Sequence, residues 1–281
     1  MADRLPVLFI GHGSPMNAIE NNPFSATWRR MGETLTRPPL PAKMASYQPA
    51  SHGHPVLRAI VCISAHWLTR GTQVTANERP KTIHDFGGFP RALYEVQYPA
   101  PGSPSIAREI QQTLKSTAAT MLSEDWGLDH GTWSILVHLH KSADVPVLQL
   151  SIDATATAET FVKIGTALRP LRDNGILFIG SGNIVHNLGL VDWNRLNDIN
   201  FAHDWAREAD KIISGLVETK NVKSLSQWNK LPHSVQLAIN SAEHYIPLLY
   251  IMGLSYPEEK AQFFNQSAVG GALTMTSVRF G

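Results

Sequence analysis

Cysteine, long hydrophobic runs and charged residues are scarce in this 281-residue sequence, and each scarcity excludes a class of protein. Cys62 is the single cysteine, so no internal disulfide can form. No apolar run reaches the roughly 18 residues that a membrane-spanning helix needs. The N-terminal segment, up to Ile10, has neither the apolar length nor the cleavage site of a secretion signal. We therefore expect a cytoplasmic protein with no membrane partner.

Charge is low and balanced, which excludes a second set of partners. Charged residues make up 17% of the chain, below the roughly 25% that is usual in soluble domains. Lys and Arg number 24 and Asp and Glu number 23, with no long run of either sign. Binding to a nucleic acid backbone would need clustered basic charge on one face. The sequence therefore predicts a small-molecule partner and no nucleic acid.

Apolar residues make up 43% of the chain and fall into short runs that alternate with helical patterns. This alternation predicts one α/β domain over residues 1–281, with a central, mostly parallel mixed sheet flanked by helices. The residues from Gly270 to Phe280 predict a final strand that is antiparallel or at an edge. A Pro-rich stretch from Thr36 to Pro55 is interpreted as a surface insertion. The predicted strands are Leu5 to Ile10, Leu57 to Ser64, Val145 to Ile152 and Gly175 to Ile179, and the predicted helices are Ser105 to Ser116, Ala158 to Arg172 and Ile199 to Leu216.

Histidine is abundant, with twelve residues, and three of them follow predicted strands. His12 comes after the first strand between two glycines, His66 comes after the second, and His186 follows the strand that begins at Gly175. Ligands of open α/β sheets bind beyond the carboxyl ends of the strands. A single histidine in such a place is usually structural, whereas three in equivalent places favour a metal site there.

A fourth histidine, His244, lies beside Glu243, and either side chain could complete the site. Ser241 is expected to cap a helix that runs through Leu254. Two histidines with one carboxylate suit non-haem Fe(II), and three nitrogen ligands also suit zinc with one open position. The residue types alone do not choose the metal.

Two further histidines lie in Gly-rich, aromatic loops that could form the walls of a pocket. His84 and His130 have this setting, although a turn stabilised by Asp85 or Asp129 explains each of them equally well. The remaining six histidines are interpreted as structural or surface residues. No nucleophile elbow and no Gly-rich nucleotide motif occurs, which disfavours serine hydrolases and nucleotide-dependent enzymes.

Seven motifs, in order along the chain, give the sequence a resemblance to a known family. It is similar to the class III extradiol ring-cleavage dioxygenases, and within them to the 4,5-DOPA dioxygenase branch. The motifs are Gly11-His-Gly-Ser-Pro-Met-Asn17, Ser64-Ala-His-Trp67, Ile83-His-Asp-Phe-Gly-Gly-Phe-Pro90, Tyr98-Pro-Ala-Pro-Gly-Ser103, Asp129-His-Gly-Thr-Trp133, Gly182-Asn-Ile-Val-His-Asn187 and Glu243-His-Tyr-Ile-Pro-Leu-Leu-Tyr250. The stretch from Ala42 to Pro55 is longer than the connection usual in the family.

The resemblance implies cleavage of a catechol ring by O2 at a non-haem Fe(II) site, with zinc as an alternative metal. It implies L-DOPA as the substrate, the 4,5 bond as the bond broken and a muconic semialdehyde, seco-DOPA, as the product. The residue roles that it implies are metal binding for His12, His66 and His244 with Glu243 as the alternative third ligand, acid–base catalysis for His186 and His130, and substrate binding for His84 and Ser14.

Two other functions remain open at this stage. A zinc-dependent hydrolase could use a metal-bound water at the same histidines. A non-enzymatic metal-binding relative could retain the fold without the activity. The oligomeric state is not predicted.

Overall fold

A six-stranded sheet forms the centre of the protein, and most of its strands match the apolar runs of the sequence. The computed structural model describes residues 4–35, 56–196 and 198–281, so the predicted surface insertion lies outside the described residues. The strands are β1 (Val7–Gly11), β2 (Ala59–Ser64), β3 (Leu68–Thr69), β4 (Thr72–Thr75), β5 (Thr120–Ser123), β6 (Val147–Gln149), β7 (Ile152–Asp153), β8 (Ile176–Gly182), β9 (Gln262–Phe264), β10 (Ala268–Val269), β11 (Leu273–Thr274) and β12 (Ser277–Phe280). The helices are α1 (Pro23–Leu35), α2 (Arg91–Tyr94), α3 (Pro104–Leu114), α4 (His130–Leu139), α5 (Ala158–Asp173), α6 (Asp204–Glu218), α7 (Val222–Ser226), α8 (His233–Ala238) and α9 (Ile246–Leu254).

The strand order in the central sheet is β6, β2, β8, β1, β12, β9. The first four strands are parallel, whereas β12 is antiparallel to both β1 and β9. The carboxyl ends of β1, β2 and β8 therefore meet at one edge of the sheet, next to its central strands. This topology confirms the predicted mostly parallel mixed sheet.

Both faces of the sheet are buried, as expected of parallel strands. Along β1, Val7 and Phe9 pack into the hydrophobic core on one face. Leu8 and Ile10 pack into the core on the other face. Because successive side chains of a strand point to opposite faces, the continuous apolar run follows directly from this double burial. Helices α5 and α9 contribute to the first core, and α1 and α4 contribute to the second.

Several predicted boundaries were wrong. The run from Val145 to Ile152 is divided between β6 and β7, which pair in different sheets. Helix α6 begins at Asp204 instead of Ile199, because Ala202 is tied to Gly271 in an isolated β-bridge. The predicted final strand is confirmed as β12, which is antiparallel to both of its neighbours, β1 and β9, and does not lie at an edge.

The cap predicted at Ser241 was also wrong. Helix α9 begins at Ile246, and the Ser241 hydroxyl donates a hydrogen bond to Glu243 instead. Every residue of α9 is buried, and no helix among the described residues has both the length and the apolar character needed to cross a membrane.

Candidate metal centre

Four histidines lie close together beyond the carboxyl edge of the central sheet. His12 directly follows β1, His66 follows β2 by two residues, and His186 follows β8 by four. His244 comes from the loop before α9. Its carbonyl oxygen accepts a hydrogen bond from the Asn183 backbone at 2.9 Å, which fixes this loop against the end of β8.

The loop before α9 approaches β8 so closely that the strand must end in glycine. A side-chain carbon at Gly182 would collide with the carbonyl oxygen of His244. Glycine is the residue that permits such backbone contact. The last position of β8 therefore determines how near His244 comes to the other histidines.

The ligand atoms of His12, His66 and His244 all lie within 4.8 Å of one another. The His12 and His66 Nε2 atoms are 3.2 Å apart. His12 and His244 are buried, and the His66 side chain is 20% exposed. The ring centroids of the three residues are 5.0 to 5.3 Å apart. Three imidazoles thus surround a common point.

Burial keeps these imidazoles neutral. Burial and the neighbouring histidines hold the pKa of His12 and of His66 well below the usual value. Burial also lowers the pKa of His244, although Glu243 opposes that effect. A neutral imidazole has one nitrogen with a free lone pair, which is the form that binds metals. The cluster is therefore in its metal-binding protonation state at neutral pH.

Ser181 determines which nitrogen of His12 carries the proton. The Ser181 hydroxyl donates to the Gly131 carbonyl oxygen at 2.5 Å, and its oxygen lies 2.9 Å from His12 Nδ1. Because the single hydroxyl proton is engaged by the carbonyl, Ser181 accepts the proton of Nδ1. His12 Nε2 is then unprotonated and faces His66. In metal-binding proteins, a hydrogen bond at the ring nitrogen that does not bind the metal orients the histidine in this way.

Glu243 and His186 both contact His244, and the ligand atoms of these three residues all lie within 4.8 Å of one another. His244 Nδ1 is 3.4 Å from a carboxylate oxygen of Glu243, and this contact lowers the pKa of Glu243 to about 2. The His186 ring lies flat on that of His244, with centroids 3.5 Å apart and planes inclined by 5°. Burial, followed by the proximity of His244, lowers the pKa of His186 to about 3. His186 is therefore also neutral at pH 7.

Asp85 joins His130 to His66. One of its carboxylate oxygens lies 2.9 Å from His130 Nδ1 and 3.7 Å from His66 Nδ1. The other accepts a hydrogen bond from the His130 backbone at 2.9 Å. Burial would raise the pKa of Asp85, but the contacts with His130 outweigh burial and lower it. Asp85 therefore does more than stabilise a turn, because its carboxylate contacts the rings of both His66 and His130.

A buried carboxylate fixes the start of the helix that carries His130. Asp129 caps α4, and it accepts hydrogen bonds from Ser64 at 2.7 Å and from Gln149 at 2.6 Å. Burial raises the pKa of this carboxyl group, with a further contribution from Asp85. Because Ser64 ends β2 and Gln149 ends β6, the network holds His130 to the edge of the sheet.

The imidazoles form the floor of a cavity of about 560 Å³. His12, His66, His130, His186 and His244 all line it, as does Ser14. Its walls are aromatic and aliphatic, which suits a flat apolar ligand. The wall residues include Phe24, Phe86, Phe89, Leu188, Trp193, Leu196, Ile199, Val269, Leu273 and Met275.

Two residues singled out from the sequence do not reach this cavity. His84 lies behind it, where its Nε2 is 3.0 Å from the Val96 carbonyl oxygen and its ring packs against Trp133. His84 is therefore not among the residues that line the cavity, and its predicted contact with a substrate stays a prediction. Glu243 likewise lies outside the lining and contacts the outer side of His244.

The sequence did not identify several other residues of the site. Asp85, Phe86 and Phe89 lie in the motif from Ile83 to Pro90, so their closeness to His84 along the chain could have indicated them. Ser181 is the last residue but one of the buried strand β8, in a Gly-Ser-Gly sequence five residues before His186. Met275 lies in the C-terminal segment, which contains no motif.

Comparisons with known proteins agree with this geometry. The family profile described as "Catalytic LigB subunit of aromatic ring-opening dioxygenase" matches residues 7–280. The chain is 40% identical to the 4,5-DOPA dioxygenase extradiol of Escherichia coli (strain K12), covering 99% of this chain and 95% of that one. It is 32% identical to the protein of the same name from Beta vulgaris, covering 97% and 95%.

A crystal structure of an uncharacterized protein from Escherichia coli K12 has a similar fold. Its TM-score is 0.79 at 34% identity, and the match covers 99% of this chain and 100% of that one. The family profile spans the central sheet, the histidine cluster and the C-terminal strands. This chain belongs to the family of the catalytic LigB subunit of aromatic ring-opening dioxygenase, and it is an extradiol ring-cleavage dioxygenase.

Proposed function

We propose that the protein cleaves L-DOPA between carbons 4 and 5 with O2, at a divalent iron held by His12, His66 and His244. The product would be the muconic semialdehyde seco-DOPA. The observation that carries the proposal is the convergence of three neutral imidazoles on the floor of an apolar cavity. The names of the Escherichia coli and Beta vulgaris relatives support the choice of substrate.

The spacing of the imidazoles fits a bound metal. A metal that binds two imidazole nitrogens at about 2.1 Å, with a bond angle of about 90° to 109°, separates them by about 3.0 to 3.4 Å. His12 and His66 Nε2 are 3.2 Å apart. The proton of His12 is already engaged at Nδ1 by Ser181, so its Nε2 lone pair is free. The same donor set accepts zinc, so zinc remains the alternative metal.

His244 is proposed as the third ligand, with Glu243 behind it. The contact between Glu243 and His244 Nδ1 leaves Nε2 of that ring for the metal. Glu243 itself lies outside the cavity lining. A carboxylate behind a metal-binding histidine holds the ring in place and raises its basicity.

His186 is proposed as a proton carrier and not as a ligand. An imidazole lone pair lies in the plane of its ring. The His186 ring is stacked on the His244 ring at 3.5 Å between centroids, so its lone pair points along a plane parallel to that of His244, and His244 would be the ring that holds the metal. His186 lines the cavity, where its unprotonated nitrogen would accept a proton from a catechol hydroxyl once the bound metal has lowered the pKa of that hydroxyl.

The bound metal would lower the pKa of the catechol hydroxyls and bring the diol and O2 together. The chain supplies the surroundings of that reaction. Phe86 and Phe89 offer flat apolar contact to the ring and exclude water. The contact of Asp85 with His130 Nδ1 leaves Nε2 of His130 to exchange a proton with the substrate.

The decisive experiment is oxygen uptake. Protein purified anaerobically and loaded with Fe(II) is expected to consume O2 with L-DOPA and to produce the yellow semialdehyde, whereas metal-free protein is not. His12→Ala should bind no iron and consume no O2. Absence of O2 uptake by iron-loaded protein with L-DOPA and with simpler catechols would overturn the proposal, and uptake only with the zinc-loaded form would overturn the assignment of the metal.

A further inference from the structure

The outer part of the cavity contains one charged side chain. Glu20 is the single Asp, Glu, Lys or Arg residue among the described residues that line the cavity. The wall nearest solvent also includes Ser14 and Asn22 and the exposed apolar side chains of Leu188, Trp193 and Ile199. A substrate arm that extends from the ring therefore meets mostly hydrophobic surface, a few neutral polar groups and one carboxylate.

The neutral polar groups beside Glu20 form hydrogen bonds within the loop after β1. The Asn17 amide donates to the His12 carbonyl oxygen at 2.8 Å, and the Asn22 amide donates to Asn17 at 2.7 Å. The Asn22 side-chain oxygen accepts from the backbones of Phe24 and Ser25. These amides hold the loop together and carry no charge, so the carboxylate of Glu20 decides the charge that a substrate arm meets at this place.

The position of Glu20 is fixed through its backbone. Its N–H donates to the Met16 carbonyl oxygen at 3.0 Å, and its own carbonyl oxygen accepts from the Ser25 hydroxyl at 2.9 Å. The carboxylate is exposed, and no hydrogen bond or ion pair to it is found among the described residues. Trp193, whose ring is 61% exposed, lines the same cavity, and an indole face attracts ammonium groups.

We infer that the cavity selects catechols whose ring substituent is uncharged or ends in an ammonium group, and disfavours those whose only charged group is a carboxylate. The inference rests on the proposed function, since it assumes that the catechol ring lies over the histidines. A carboxylate arm would lose hydration against apolar walls and face the like charge of Glu20. An arm that ends in an ammonium group would instead be attracted by the carboxylate of Glu20. L-DOPA carries both groups and falls between the two classes.

Four catechols with short arms test this selection: dopamine, 4-ethylcatechol, L-DOPA and 3,4-dihydroxyphenylpropionate. For the iron-loaded protein, kcat/KM is expected to be highest for dopamine and lowest for the propionate. The preference for dopamine over 4-ethylcatechol should be about fivefold, typical of a partly solvated charge pair, and should shrink as salt is added. Equal values for dopamine and the propionate would overturn the inference.

Substitution of Glu20 isolates its contribution. Glu20→Gln is expected to reduce the ratio of kcat/KM for dopamine to that for 4-ethylcatechol by about fivefold, and Glu20→Lys to reverse the preference between dopamine and the propionate. Glu33→Gln, at an exposed position on α1, makes the same change in net charge and should leave both ratios at their original values. Equal changes in the Glu20 and Glu33 variants would overturn the role of Glu20.

Anaerobic binding separates this inference from the proposed function. Titration of the four catechols into iron-loaded protein without O2 gives dissociation constants that do not depend on ring cleavage. The same ranking in binding, with no O2 uptake for any catechol, would refute the proposed function and retain the selection by charge. Cleavage of all four catechols without a ranking would refute the selection alone.

Discussion

The His186 ring lies parallel to the His244 ring, at 3.5 Å between their centroids. Two stacked imidazoles direct their in-plane lone pairs along parallel planes, although the ligand atoms of His186, Glu243 and His244 all lie within 4.8 Å of one another. The stacking supports the proposal that His186 carries protons and that His244 binds the metal. The stack therefore divides the four strand-end and loop histidines into three that converge and one that lies over them.

Replacement of His186 by alanine is expected to separate metal binding from turnover. The variant should retain close to one metal per chain, whereas kcat should fall by about 10²- to 10⁴-fold, the usual contribution of a proton carrier. Metal content by mass spectrometry and O2 uptake provide the two measurements. Loss of metal as complete as in His66→Ala would make His186 a ligand and refute the division of roles.

Asp85→Asn is expected to weaken the site without unfolding it. The amide oxygen can still accept the His130 backbone N–H, but the negative charge beside His66 and His130 is lost. Metal affinity should decrease by about 10- to 100-fold, as for other residues that support ligands. Competition with a chelator measures the affinity. The exposed Asp125 provides the control, and an equal decrease in Asp125→Asn would point to overall charge as the cause.

Gly131→Ala tests how closely α4 approaches the ligands. A side-chain carbon at this position would overlap the Ser64 hydroxyl and lie 2.9 Å from His66 Cδ2. We expect loss of metal binding because the His66 ring must move. Gly215→Ala, in α6 with open space around it, should retain full metal binding. A Gly131→Ala variant with unchanged metal affinity would show that the His66 ring position is not restricted by α4.

The stability of the metal-free protein should decrease as the pH falls below about 6.5. Histidines with depressed pKa values remain neutral in the folded protein and take up protons in the unfolded chain, so acid favours unfolding. For His186, with a pKa of about 3, the cost is roughly 1.4 kcal/mol per pH unit between about pH 6 and pH 4. Urea unfolding at several pH values measures it. His186→Gln should have a shallower pH dependence by about that amount, and parallel curves would contradict the assignment.

The sequence was sufficient to predict the histidines at the ends of the strands. It was not sufficient to predict the residues that contact and orient those histidines. His12 and His66 follow apolar runs that were recognisable as parallel strands, and parallel strands end at a common edge. Asp85 was recognisable only as a loop residue, because its two partners lie far away along the chain. His84 was assigned to the substrate from its motif, although the hydrogen bond to Val96 directs it elsewhere.

The predicted boundaries of helices were wrong where tertiary contacts override the local sequence pattern. Helix α9 is apolar on every side, so its residues have no periodicity that would mark its first turn. Residues 199–203 continue the helical pattern of α6, yet Asn200 has a φ of 72° in a turn and Ala202 pairs with Gly271 in a β-bridge, so these residues are not helical. Met275 reaches the cavity from a segment whose alternation predicted only a strand.

The placement of β1 in the sheet also has a consequence for the order of assembly. Val7 pairs with Phe178 on one side and with Phe280 on the other, so the strand that leads to His12 has both neighbours far along the chain. Contacts of such long sequence separation form late and slowly in folding. We therefore expect the three imidazoles to gather only once the sheet has closed around β1, and metal binding to follow that step. Substitutions in β12 that delay this closure should reduce the yield of metal-loaded protein although none of its residues is a ligand.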